Sequence, residues 1–325
     1  MRKASGSEQL DALIGTILAG KRAPVSDASA KLAPLARIAA DLRYLPRREY
    51  QSNLRKDLER RATMASPAVK PIPEGYRTLT PYLTVEHAPE LLEFLQKAFG
   101  AEVLYQGTGS AGGLHSELKI GDSRLMMGGG GAFKGPYFPT SIHLKVDNVD
   151  ETYARAVKLG AVSTHAPTDF DYGERGAGVR DVSGNNWFIA TPLEKTHFIE
   201  GMGTVTVYLS PRGAAELIDF VKEAFVAEQV ARFDAPDGTV AHAKVRIGDS
   251  IVEMSDAHGL YGPMPTMFYM YVADADATYE RAIRAGGKSI EAPGDQPYGD
   301  RRAAVEDPFG NRWYMATHVK DVSHP

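Results

Sequence analysis

The chain contains no cysteine, which excludes disulfides, a thiolate nucleophile and any sulfur-ligated metal site. It also lacks any apolar run near the roughly 20 residues that span a bilayer, so no membrane-spanning helix is expected. The opening MRKASGSEQLDALIG has neither the apolar stretch nor the cleavage site of a secretory signal. Together these absences point to a soluble, cytoplasmic protein with no membrane partner. No strong excess of one charge is present either: 37 Lys and Arg stand against 41 Asp and Glu, a net charge of -4. The first 70 residues do hold roughly twice as many basic as acidic side chains. Those charges follow amphipathic helical stretches and read as solvated helix faces rather than a nucleic-acid surface.

Tryptophan is scarce, and its two occurrences are informative. Trp187 and Trp313 occupy matching points of an internal repeat. Residues 166–191 (APTDFDYGERGAGVRDVSGNNWFIAT) recur at 292–317 as APGDQPYGDRRAAVEDPFGNRWYMAT. About half the positions are identical at an offset of about 126 residues, which marks a duplicated domain. Upstream, residues 78–102 pair with 204–228, and HSELKIGDS at 115–123 pairs with HAKVRIGDS at 242–250.

Three segments precede the repeats. Residues 8–19 have helical apolar spacing, a second helix runs from a cap at Asp27 or Ser29 to about Tyr44, and 47–64 reads as a charged third. The Pro-rich stretch 67–75 is a linker. This divides the chain into a helical extension and linker (1–70), a first repeat (76–193) and a second (201–318). The extension could form a small bundle, clasp the repeats, or mediate homo-oligomerisation. Each repeat alternates short strands with amphipathic helices, in the order β-α-β-β-β taken twice. The fold class is therefore α+β, with four such modules in all.

That order, with KAFGAE after the first helix, IGDS in a hairpin and DPFGNRW before a last strand, resembles the vicinal oxygen chelate superfamily. Its PhnB-like glyoxalase/bleomycin-resistance branch is suggested by TPYLTVEHAPELLEF (80–94), SIHLKVDNVDETYARA (141–156) and VEDPFGNRWYMATHVKDVS (305–323). The resemblance covers residues 76–318 and implies tandem domains whose modules curl into cup-shaped sheets, with ligands on the concave side. It also implies metal-ligand positions on the first and fourth strands of each module. These match Thr80, Met126, Ser141 and Phe188 in the first repeat, and Thr206, Glu253, Met267 and Tyr314 in the second. Only Glu253 is a ligand type, too few for a divalent metal, so no cofactor is expected. A displaced site of His115, Glu117 and His143 is the alternative.

Strand alternation sends Ser141, His143 and Lys145 to the cavity, and likewise His115 with Glu117 and His242 with Lys244. Tyr82, Tyr208, Tyr269, Tyr271 and Tyr314 line the cups by the same rule, and suit a planar or amphipathic small molecule. The repeated loops YGER and YGDR place Tyr172, Arg175, Tyr298 and Arg301 at the rim, as ligand contacts or as salt bridges fixing the loop. Three functions compete. The first is a metal-independent small-molecule binder. The second is a glyoxalase-like lyase or isomerase, with Glu253 as general base aided by His242. The third is an interaction module using the basic N-terminal helices. The DPFGNRW turn reads as architecture.

Overall fold

A computed structural model describes residues 69–193 and 199–322; the helices expected at 8–64 lie outside the described residues. The first module comprises β1 (Leu79–Val85), α1 (Ala88–Phe99), β2 (Glu102–Thr108), β3 (Leu114–Ile120) and β4 (Ser123–Gly129). The second comprises β5 (Ser141–Lys145), α2 (Val149–Lys158), β6 (Val162–Phe170), β7 (Glu174–Arg180) and β8 (Asn186–Pro192). In the second repeat follow β9 (Val205–Leu209), α3 (Ala214–Phe225), β10 (Glu228–Asp234), β11 (Val240–Ile247) and β12 (Ser250–Met254). The last module is β13 (Met267–Tyr271), α4 (Ala275–Arg284), β14 (Lys288–Asp295), β15 (Asp300–Glu306) and β16 (Arg312–His318).

Two eight-stranded sheets result, ordered β14-β15-β16-β13-β1-β4-β3-β2 and β10-β11-β12-β9-β5-β8-β7-β6. Each therefore joins one module from each repeat. The first cup unites the outer modules across an antiparallel β1–β13 seam, and the second unites the inner modules across β5–β9. The apolar cores divide differently. One centres on α1, α2 and Trp187 of the first repeat, the other on α3, α4 and Trp313 of the second. Each repeat is thus packed by its own helices, yet completes a cup only with its duplicate.

The repeated Gly-Asp-Ser fastens the sheets to each other. Asp122 accepts from the Thr204 amide (2.7 Å) and Ser123 from the Val205 amide (3.0 Å), so the β3–β4 turn caps the start of β9. Asp249 and Ser250 do the same for Thr78 (2.7 Å) and Leu79 (3.1 Å) at the start of β1. The glycines are required here. Gly121 and Gly248 have φ of 58° and 59°, and a Cβ on either would fall 2.2 Å from the hydroxyl of Thr204 or Thr78.

The tryptophan turns have the architectural role their sequence suggests. Asp307 accepts from the amides of Phe309 and Asn311, the Asn311 side chain and the Trp313 indole, all at 2.8–2.9 Å. Asp181 repeats this with Ser183, Asn185 and Trp187 at 2.8–3.0 Å. Four bonds to one carboxylate oppose its burial, which still holds both carboxyls above their ordinary value, and each indole is fully buried against Phe99 or Phe225.

Candidate functional site

Strand register fixes what stands at each cup's centre. The ladders set Tyr82 beside Met126, His143 beside Phe188, Tyr208 beside Glu253 and Tyr269 beside Tyr314. The central first-strand residues are thus Tyr82, His143, Tyr208 and Tyr269. Thr80, Ser141, Thr206 and Met267, matched to the family's first-strand ligand positions, lie two residues earlier on the same strands. Alternation over two residues identifies a face but not a level along it.

The second cup gathers a buried charged cluster. Glu253, fully buried on β12, lies 2.6 Å from Nδ1 of His143 on β5. The opposite ring nitrogen, Nε2, is 3.4 Å from Glu174 at the start of β7. Nε2 of His242 and Nζ of Lys244, both on β11, approach the other Glu253 oxygen at 3.6 Å. Burial alone would drive the proton off His143, but Glu253 and Glu174 outweigh it and raise the imidazole above its ordinary value. Burial likewise opposes ionisation of Glu253, and is overcome by His143, then His242 and Lys244, which lower its carboxyl. An imidazolium–carboxylate pair therefore sits on the cup floor. Lys244 is lowered by burial, with Glu253 and Glu174 opposing.

Aromatic rings stand over this floor. Phe188 meets Tyr208 edge-on at 5.4 Å and Tyr261 at 5.1 Å, and the Tyr208 hydroxyl is 3.4 Å from His242 Nδ1. Burial pushes Tyr208 up to about 12, leaving it a neutral phenol. Met264 brings its sulfur to Ser141 (3.5 Å), and Met202 to Lys244 (3.5 Å). A cleft of about 220 Å³ between Pro211, Pro265 and Phe309 lies outside the cluster and shares only Met264 with it.

The first cup is aromatic, and its imidazole–carboxylate contact is a different one, His318 on Asp300. Tyr82 binds His115 at 2.8 Å, and Asp300 accepts from Tyr269 (2.7 Å) and Tyr271 (3.2 Å) with His318 2.9 Å away. Burial lowers His115, against the pull of Glu117. The four tyrosines expected together from the second repeat are therefore divided: Tyr208 faces the second cup, while Tyr269, Tyr271 and Tyr314 face the first. Likewise the structure does not bring together His115, Glu117 and His143. The first two lie on β3 in one sheet and His143 on β5 in the other, because the cups draw on both repeats.

At the rims, Arg175 is held by Asp150 and Asp169 (2.7 Å each), and Arg301 by Asp276 and Asp295 (2.5 and 2.9 Å). These arginines fix their loops. Tyr172 is half exposed and stacks on Phe170 at 5.0 Å, whereas Tyr298 accepts from Arg302 at 2.7 Å. Lys244 shares the cavity face with His242 as alternation predicts, whereas Glu174 is an addition to the expected site residues. Glu174 was legible in YGER, since on one strand its side chain must point opposite to that of Arg175. Phe188 stood in the expected ligand set, but as a lost ligand rather than as a wall.

The donors do not suit the divalent metal the fold family implies. His143 and Glu253 are hydrogen-bonded to each other, Phe188 and Tyr208 fill the neighbouring positions, and Lys244 brings a cation against the carboxylate. Among the described residues no three His, Asp or Glu side chains are grouped to hold a metal ion, and no helix is long and apolar enough to cross a membrane.

Comparison with known proteins agrees with this architecture. An uncharacterized protein of Mycobacterium bovis is 35% identical over 121 residues, covering 34% of this chain and 80% of the relative. One from Mycobacterium tuberculosis is equally similar, over 34% and 71%. The crystal structure of glyoxalase I from Zea mays superposes with a TM-score of 0.58 at 17% identity, covering 74% of this chain and 92% of the maize protein, a likeness of fold. The family model for the Glyoxalase/Bleomycin resistance protein/Dioxygenase superfamily matches twice, at 78–189 and 205–315. The chain belongs to that superfamily, as a tandem member with two of its domains.

Proposed function

We propose that the chain is a small-molecule-binding protein whose working site is the second cup, and that its ligand is aromatic or amphipathic. The Glu253–His143 pair beneath Phe188, Tyr208 and Tyr261 carries this reading. A general base needs an available lone pair and a pKa near the working pH. Glu253 already shares its oxygen with an imidazolium, and its proton affinity is drawn down. The pair serves better as a fixed dipole for the polar end of a ligand, with the rings covering the flat part. A cytoplasmic location fits the absence of cysteine.

Lyase or isomerase chemistry is the second reading, favoured by the protonated His143 and by the His242–Tyr208 contact as groups able to pass a proton. Calorimetric screening of aromatic and amphipathic compounds, with mass spectrometry of each binder after incubation, separates the two. Saturable binding of an unchanged compound, weakened about tenfold by Phe188→Ala, is expected. Conversion of the bound compound, abolished by His143→Gln, would replace the binder with the enzyme.

A further inference from the structure

The first cup holds a segment of the chain itself. Ile72 and Tyr76 pack on Met126, Tyr269, Tyr271 and Ala316, with Tyr82 and Tyr314 beside them. Three kinds of group receive the Tyr76 ring. The edge of Tyr271 meets it at 5.1 Å and 65°, the Arg124 guanidinium lies 4.1 Å over its face, and its hydroxyl donates to Glu117. An aromatic wall, a cation on the ring face and a carboxylate at the hydroxyl together make a complete phenol-recognition site. Burial, and then the charge of Glu117, hold the Tyr76 hydroxyl above its ordinary range, so it remains a neutral donor.

The segment is separable from what it covers. Its backbone joins no strand. The Pro71 carbonyl accepts from the His318 amide (3.1 Å), and Arg124 reaches the Gly75 and Glu74 carbonyls (2.9 and 3.5 Å). Most polar groups beneath keep partners without it: Asp300 is held by Tyr269, Tyr271 and His318, Arg302 by Glu291 (2.7 Å) and Tyr298, and Glu117 retains Arg124 at 3.6 Å. This aromatic cluster is also distinct from both repeat cores. Release of residues 71–76 would expose a preformed, hydrogen-bonded surface at little cost to the fold.

We propose that the first cup is a second small-molecule site, selective for neutral phenols, and that Tyr76 is its displaceable internal ligand. Phenol binding and docking of residues 71–76 are mutually exclusive.

The test is the full chain carrying Tyr76→Ala, titrated calorimetrically with p-cresol, which is the tyrosine side chain itself. Far-UV circular dichroism checks the fold. One equivalent of p-cresol should bind, about tenfold tighter than to the parent chain, and Glu117→Gln in the same background should weaken it about tenfold. Toluene, which lacks the hydroxyl, should bind about tenfold more weakly than p-cresol. No binding to the folded variant, equal binding of toluene, or loss of p-cresol binding on Phe188→Ala in the other cup would each overturn the proposal. Should Tyr76→Ala fail to fold, hydrogen exchange on the parent chain decides. Saturating p-cresol should speed exchange at residues 72–77 and leave β13 unchanged, and unaltered exchange at 72–77 would overturn it.

Discussion

Replacing Glu253 by glutamine tests whether charge holds the second cup together. Glu253 is fully buried, with His143 at 2.6 Å and both His242 and Lys244 at 3.6 Å. Glutamine keeps the volume and an acceptor but removes the negative charge. Breaking a buried pair from one side typically costs about 3–5 kcal/mol, because the surviving ion stays desolvated. His143 can relieve part of this by losing its proton, since burial already drives it down and only Glu174 would remain to oppose. We therefore expect the lower end, about 3 kcal/mol near pH 6.

The pH dependence gives the sign. His143 is raised above its ordinary 6.5, so its contribution is complete below that pH and fades as pH climbs toward the folded value. The loss is up to about 1.4 kcal/mol per pH unit. Glu253 is lowered below its ordinary 4.5, so its contribution is complete above 4.5 and is lost as pH falls. The stability gap between parent and Glu253→Gln should be widest from pH 4.5 to 6.5. It should narrow by about 2 kcal/mol on going to about pH 8.5. Urea denaturation at three pH values measures it. Adding His143→Gln and the double variant completes a cycle with an expected coupling of about 2 kcal/mol. A gap flat with pH, or a coupling under about 0.5 kcal/mol, would refute an ion pair.

Three further outcomes follow from comparing the copies. Val226, 75% exposed, ends α3 with φ of 56°, where α1 ends in Gly100; Val226→Gly should stabilise the chain by about 1 kcal/mol in urea denaturation, and destabilisation would contradict the strain. Asp307→Ala removes four hydrogen bonds at once, including that to the buried Trp313 indole, and should cost about 3 kcal/mol by the same measurement. Arg301→Ala should lower Tm more than Arg175→Ala, because the Arg301–Asp276 pair is the less exposed of two matched bridges; equal losses would mean that burial does not set their worth.

Much of this molecule was legible in its sequence. The duplication, the module order and the inward faces follow from residue identity and a period of two. Ile142 and Leu144 pack in the core, and His143 between them faces the cup. What alternation does not carry is partnership. Nothing local to β5 says that it pairs with β9, so the division of His115 from His143, and of Tyr208 from Tyr269, had no signal in either strand. Pro-rich sequence has no period, so residues 67–75 carry only a linker signal, although Ile72 and the adjoining Tyr76 pack as cup-lining side chains would.

The exchange of modules also explains why the two cups have diverged so far. His143 and Glu174 come from the first repeat, and Glu253, His242 and Lys244 from the second. At the matching points of the other cup stand Tyr269, Asp300, Met126, His115 and Glu117. With Met126 in place of Glu253 and Tyr269 in place of His143, the Glu253–His143 pair has no counterpart, and Asp300 is instead held by the Tyr269 and Tyr271 hydroxyls and by His318. That aromatic floor buries Tyr76, whereas over the second cup's charged floor Met202 meets Lys244. Because every cup needs both repeats, neither repeat can retain its buried charges without the other. Separated from its duplicate, the first would leave His143 with Glu174 alone, and the second would leave Glu253 without its closest partner.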